Sequence, residues 1–249
     1  MRNIKLTLSY HGKYFFGWQK QKDTPETVQE TLENSIKKFT GENIKITGSG
    51  RTDSGVHAIA QTANFFTTSK LPLTAFIYGL NSILPKGVVI LNAEEADENF
   101  NARKSAKKKT YLYKIYNDKI ISPIDEEFYY LYKYKLNIEK MKKASEYLIG
   151  EHDFKAFAAS QNSTQTTVRK IYDIKWKHEG KKICFEITGN GFLMKMVRNI
   201  AGTLIEIGNE KKNSEDIVFI LNSRNRKNAG HTAPPQGLYL KEVFYDRLF

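Results

Sequence analysis

Gly48-Ser49-Gly50-Arg51-Thr52-Asp53-Ser54-Gly55-Val56-His57 is the stretch on which the reading of this chain turns. It sets one carboxylate, Asp53, among small residues and two positions from a permanent cation, Arg51. Glycines let a backbone turn sharply and approach a substrate closely. A neighbouring guanidinium favours the ionised carboxylate. An exposed, ionised and rigidly presented Asp is what a nucleophile or a general base requires. The same residues are also ordinary turn formers, because an Asp side chain bonds nearby backbone N–H groups. The loop by itself leaves both readings open.

Upstream, Ile4, Leu6, Leu8 and Tyr10 alternate with polar residues, the pattern of a half-buried strand. Thr24 and Pro25 predict a helix start, with Val28, Leu32, Ile36 and Phe39 on one face and Gly41 as its end. Residues 43–47 read as a strand that delivers the Asp53 loop, and 59–66 as another. Pro72 opens a second helix carrying Phe76, Leu80 and Ile83, which Pro85 closes, and 88–93 is again a strand. The polar, basic run from about 97 to 109 predicts a boundary, giving lobes over 1–104 and 105–249. In the second lobe 110–117 is a tyrosine-rich strand. Asn137 caps a helix ending at Gly150, and 154–166 is a loop. A hairpin turns at Glu179-Gly180, and a helix carries Leu193, Val197, Ile200, Leu204 and Ile207. Ser214 caps a further helix, and 238–245 is the last strand. Strands joined by hairpins favour antiparallel sheets, so the expected class is α+β in two lobes.

Composition narrows the function. Of 249 residues, 40% are hydrophobic and 27% charged, the balance of a globular protein. Lysine and arginine number 39 against 27 acids, a net charge of +12 that favours polyanions, nucleic acid first. The single cysteine, Cys184, rules out an internal disulfide and fits a reducing compartment; its alternating surroundings make it a strand residue. No apolar run reaches the ~18 residues of a membrane span, and the N-terminus has no signal-peptide core. A cytoplasmic protein is expected. The five histidines are scattered, with no metal-ligand spacing.

The run Arg51-Thr52-Asp53-Ser54-Gly55-Val56-His57-Ala58 resembles the active-site motif of the tRNA pseudouridine synthase A family. The likeness extends along the chain: Phe16-Gly17-Trp18-Gln19 with Thr27-Val28-Gln29, Asn99-Phe100-Asn101-Ala102-Arg103, Lys109-Thr110-Tyr111-Leu112-Tyr113, Gly150-Glu151-His152-Asp153-Phe154, the segment from Phe192 to Asn199, and Ala233-Pro234-Pro235-Gln236-Gly237-Leu238-Tyr239-Leu240. Asn101 departs from a usual His, and Met194-Lys195 from an aromatic and a His. The resemblance implies two α+β lobes with mainly antiparallel sheets and a central basic cleft. It implies isomerisation of uridine to pseudouridine in the anticodon stem-loop of tRNA, no cofactor or metal, and a homodimer.

Under that resemblance Asp53 is the nucleophile and Arg198 its ion-pair partner. On periodicity alone Arg198 reads as a solvated cation beside an apolar stripe. Tyr111 is the base-stacking residue; from pattern alone it is a strand aromatic in a core. Arg51 fills the space left by the extracted uridine, or faces a phosphate. His57 shapes the loop. Arg103, Lys104, Lys107, Lys108 and Lys109, with Lys20 and Lys22, are expected to meet phosphates, where a charge run is otherwise a solvated face. Two competitors stand beside the synthase: a non-catalytic RNA-binding module with tyrosine-rich strands, and a pseudouridine synthase acting on another RNA. A phosphate-handling enzyme would need Mg²⁺-binding acids or a phosphate loop near residue 53, and neither is there.

Overall fold

Alternation and capping produce the elements in the computed structural model, which describes residues 1–22, 24, 26–159 and 165–246. In chain order these are β1 (Arg2–Tyr10), α1 (Val28–Thr40), β2 (Thr47–Gly48), β3 (His57–Thr67), β4 (Val88–Ala96), β5 (Lys108–Asn117), α2 (Pro123–Glu126), β6 (Tyr130–Tyr132), α3 (Ile138–Glu146), β7 (Gly150–Asp153), β8 (Val168–Glu179), β9 (Lys182–Gly189), α4 (Met196–Gly208), α5 (Asp216–Ser223) and β10 (Leu238–Phe244). The expected α+β class holds. The chain forms two compact units, Met1–Lys107 with Tyr239–Phe249, and Lys108–Leu238. The expected second lobe of 105–249 therefore differs at both ends: the second unit begins at Lys108, and the last strand, from Tyr239, belongs to the first unit. Strand alternation says that 238–245 is extended but not which sheet receives it.

In the first unit β1 lies between β3 and β4, antiparallel to both, while β10 runs parallel to β3, with Tyr239 opposite His57 and Leu240 opposite Ala58. Ile4, Leu6 and Leu8 are fully buried, as their alternation requires. The cap of α1 is Thr27, whose hydroxyl accepts from the Glu30 N–H at 3.4 Å, and not Thr24, which forms an isolated bridge with Gln21. Pro25 lies outside the described residues. Gly41 ends the helix in the left-handed region, as expected. The strand expected over 43–47 is reduced to Thr47–Gly48. The helix after Pro72 contains a π-helical stretch, Ala75–Gly79. It buries Phe76, whose ring meets Phe65 of β3 and Phe39 of α1.

In the second unit β5, β9, β8 and β7 form an antiparallel sheet in that order, with β6 parallel to β5. The hairpin between β8 and β9 turns at Gly180 and Lys181. One face of the sheet buries Tyr113, Ile115, Phe185 and Ile187. Asn137 caps α3 as expected, although that helix stops at Glu146. The expected loop over 154–166 begins with a turn of 3₁₀ helix, Phe154–Phe157, and residues 160–164 lie outside the described set. Ser214 does not cap α5: its hydroxyl donates to the Lys140 carbonyl at 2.9 Å. Cys184 is a half-buried strand residue, and burial pushes its thiol pKa up. Among the described residues no helix is long and apolar enough to cross a membrane.

Helix α4 is buried along most of its length, and the segment 229–234 is strapped across it. Arg198 Nε donates to the Ala233 carbonyl at 2.8 Å while the Ala233 N–H returns a bond to the Arg198 carbonyl at 3.1 Å. The Gly230 N–H donates to the Thr203 hydroxyl at 2.8 Å. At Gly202 the strap comes so close that a Cβ would stand 1.8 Å from the His231 carbonyl oxygen. Helix propensity alone favours Ala over Gly by ~1 kcal/mol, but overpacking of this kind costs ~1–3 kcal/mol or more. We therefore expect Gly202→Ala to lower stability by about 2 kcal/mol. It would read as a reduced urea midpoint at unchanged slope; a raised midpoint would show that the strap does not rest on that helix.

Candidate active site

Asp53 sits in a loop whose every side is pinned. The Val56 N–H donates to the Asp53 carbonyl at 3.1 Å, closing a four-residue turn with Gly55 at positive φ. On the N-terminal side, Ser49 Oγ donates to Gln61 Oε1 at 2.6 Å and Gln61 Nε2 to the Gly50 carbonyl at 3.1 Å. Beneath the loop, the Tyr10 hydroxyl meets Thr52 Oγ1 at 2.8 Å. Burial pushes the Tyr10 pKa up to about 12, so that hydroxyl keeps its proton at any physiological pH.

The clamp that closes over the loop comes from the segment after β1. The Trp18 N–H donates to the Thr52 carbonyl at 3.1 Å. Gly17 has φ +87°, and a Cβ there would stand 2.8 Å from the Thr52 oxygen and 3.3 Å from the Asp53 carbonyl carbon. Gly12 presses on the other end, where a Cβ would meet Gly55 C at 2.4 Å and Val56 C at 2.6 Å. Two glycines thus allow backbone to lie on backbone. Trp18, 2% exposed, fills the space beside Gly48. In the sequence Phe16-Gly17-Trp18-Gln19 carries a family likeness and no assigned task. Its task is to hold the Asp53 backbone, and the available signal was a glycine beside a large aromatic.

Asp53 is half-buried, Thr52 buried and Arg51 exposed. His57 is structural, as expected: its Nδ1 accepts from the Gly12 N–H at 3.2 Å, and its ring stacks on Tyr239 at 4.6 Å and 15°. Asp53 and Arg51 belong to the first unit, Tyr111 and Arg198 to the second. Tyr111 stands on β5 opposite Ile187, 8% exposed, with the Phe192 ring edge-on to it at 5.0 Å. Arg198 is half-buried in the first turn of α4, which follows Lys195 in the left-handed conformation (φ 61°).

The basic run divides at the boundary between the units. Arg103 and Lys104 are exposed, and their N–H groups both donate to Asn101 Oδ1 at 3.0 Å, so Asn101 caps this turn. Lys107 is exposed and pairs with Asp246 at 2.9 Å, while Lys108 and Lys109 begin β5. Of the second strip, Lys20 is paired with Glu30 at 3.0 Å and Lys22 is exposed.

A family model described as tRNA pseudouridine synthase matches residues 7–105 and 144–246. A "tRNA pseudouridine synthase A" of Acetivibrio thermocellus is 48% identical over 245 residues, covering 98% of this chain and 100% of the relative. Proteins of the same name from Caldicellulosiruptor bescii and Caldicellulosiruptor saccharolyticus are each 47% identical over the same span, with equal coverage. Identity at that level, sustained from end to end and across both units, means that this chain belongs to the tRNA pseudouridine synthase family.

Proposed function

We propose that this protein isomerises uridine to pseudouridine in tRNA, in the anticodon stem-loop, with Asp53 as the group that starts the chemistry. The observation that carries the proposal is the clamped loop. A half-buried carboxylate stands on backbone held from both sides, the preorganisation a reacting group needs. The names of the relatives supply the substrate class.

The reaction balances within one nucleotide. The bond from base N1 to ribose C1′ breaks, the base turns, and C5 joins C1′. The proton on C5 is removed and N1 gains one. No electrons are exchanged, so the chemistry calls for no redox cofactor. Asp53 either attacks C1′ or assists deprotonation of the sugar toward a glycal, and both routes begin from the ionised carboxylate. The uridine must first leave its stack, at a cost of a few kcal/mol; exposed Arg51 is suited to fill the gap. Tyr111 stacks on the extracted base, and Arg198 is the ion-pair partner of the carboxylate. Arg103, Lys104, Lys108 and Lys109, with Lys107 once released from Asp246, hold phosphates without reading sequence. We place the enzyme in the cytoplasm as a homodimer, on the family likeness.

The direct test incubates the purified protein with an unmodified tRNA transcript, without added cofactor, and maps pseudouridine by chemical labelling. Modification in the anticodon stem-loop is expected, and none with Asp53→Asn, although that variant should fold and bind tRNA. Equal turnover by the Asn variant would refute the assignment, and wild-type binding without modification would favour a pure RNA-binding module. Arg198→Lys keeps the charge but loses the planar fork and the Nε bond to Ala233. A fall in turnover of about tenfold or more is expected, the scale of one charged hydrogen bond. Stacking is worth ~1–3 kcal/mol per base. Tyr111→Ala should therefore weaken tRNA binding by about tenfold or more, while Tyr111→Phe stays close to wild type in a filter-binding titration.

A further inference from the structure

On β8 the buried side of the sheet ends in a charged residue. Ile171, 1% exposed, packs in the row with Gly189 of β9, and two positions earlier on the same side stands Arg169, half-buried. Its Nη1 donates to the Thr166 carbonyl at 2.9 Å and the Val168 carbonyl at 2.6 Å. Among the described residues it has no carboxylate partner, and Nε and Nη2 make no bond. Arg226, half-buried to a similar degree, spends both Nη groups on Ala229 O, Asn199 Oδ1 and Thr232 Oγ1. Both Nη groups of Arg226 are engaged by acceptors; of those of Arg169 only Nη1 is. Burial draws its pKa down, as desolvation of an uncompensated cation does.

Its position gives that idle edge a purpose. A Cβ on Gly191 would stand 3.6 Å from Arg169 Nε and 3.7 Å from Cδ, so the arginine stem lies along the turn Gly189-Asn190-Gly191-Phe192. Asn190 pins the turn to β8, donating its N–H to the Lys170 carbonyl and accepting the Lys170 N–H on Oδ1, both at 3.0 Å. The far end of the turn is Phe192, the ring that meets Tyr111. Arg169 and Tyr111 thus lie on opposite sides of one fixed turn, two strand spacings (roughly 10 Å) apart across the sheet and about four residues (roughly 13 Å) apart along it, a span that a long arginine side chain and one or two nucleotides of RNA can bridge.

We propose that Arg169 is a phosphate clamp: its unused N–H edge takes a backbone phosphate of the RNA strand that carries the reacting uridine, close to the nucleotide stacked on Tyr111. The assignment rests on the pseudouridine synthase reading. A guanidinium suits the role because two of its N–H groups meet two phosphate oxygens in parallel, and half-burial limits screening by salt.

The test measures tRNA binding over a potassium chloride series with Asp53→Asn protein, so that turnover does not intrude, and modification kinetics with otherwise wild-type protein. Arg169→Gln is expected to weaken binding about tenfold and to reduce the slope of log affinity against log salt by about one. In the active enzyme KM should rise while kcat changes far less. Arg169→Lys should restore the slope but only part of the affinity. Unchanged affinity and slope in Arg169→Gln would overturn the proposal. So would weaker binding at an unchanged slope with no recovery in Arg169→Lys, which would mean that the residue only shapes the turn. If the wild-type protein makes no pseudouridine, the functional reading itself fails; if it does and the slope is unmoved, only the clamp fails.

Discussion

Contact of backbone with backbone at Gly12 and Gly17 decides where Asp53 stands. The Cβ positions of these two residues would fall 2.4–2.8 Å from atoms of residues 52, 55 and 56, closer than any side chain allows. Loops are usually positioned by side chains that can change rotamer. Here the turn bearing the carboxylate is gripped by main chain, which has no such freedom. Trp18 adds a hydrogen bond from its N–H and a buried indole behind Gly48, so the clamp is anchored in the core. A group that must meet a base swung out of RNA gains from this arrangement, because misplacement of about 1 Å can cost ~100-fold in rate.

The second unit solves a related problem by another route. Its working segment, from Gly189 to Arg198, leaves a strand, crosses a turn and enters a helix. Asn190 fixes the turn to β8, and Lys195 takes the left-handed conformation that lets the chain enter α4 without a side-chain cap. A non-glycine residue there is strained by ~1–2 kcal/mol. The strain is tolerated because the helix behind it is locked: Ala233 grips Arg198 at both its backbone and its side chain. The arginine is therefore oriented by the chain packed behind it.

Much of this was readable in the chain. Period-two alternation located β1, β3, β4, β5, β8, β9 and β10, and the motif around Asp53 led to the family. What was not readable was non-local. Thr24 and Thr27 are equally good caps on paper; Thr24 is taken up in a bridge with Gln21, and Thr27 is the one that meets the helix end. Ser214 looked like a cap, but the Lys140 carbonyl on α3 competes for its hydroxyl. The lysines at 20 and 107 looked free until Glu30 and Asp246, distant in sequence, came beside them. The role of Gly17 was hidden for the same reason, since its reason for being glycine lies in residues 52 and 53. Arg169 carried no local signal either; it stands out only when the bonds its guanidinium lacks are set against those of Arg226.

Each unit also depends on buried asparagine, and chemistry explains why that residue type recurs. Irregular segments carry backbone N–H and C=O groups with no ladder partner, and burial makes each of these costly unless it is bonded. A side-chain amide offers one acceptor and two donors, the same pair of functions as a peptide group, and can stand in for a missing strand. Asn64, 3% exposed, accepts the Ala102 N–H and donates to Asn3 Oδ1 and the Phe100 carbonyl, tying 97–104 to β3. Asn199, fully buried, donates to the Phe157 carbonyl and accepts from Thr232 and Arg226, tying two loops to α4. The first segment carries Arg103 and Lys104, and Asn199 is the neighbour of Arg198. In both units side chains assigned a working role, phosphate contact in the first and pairing with the carboxylate in the second, sit beside an amide that substitutes for regular structure, which is how an irregular segment can be shaped for function and still hold its position.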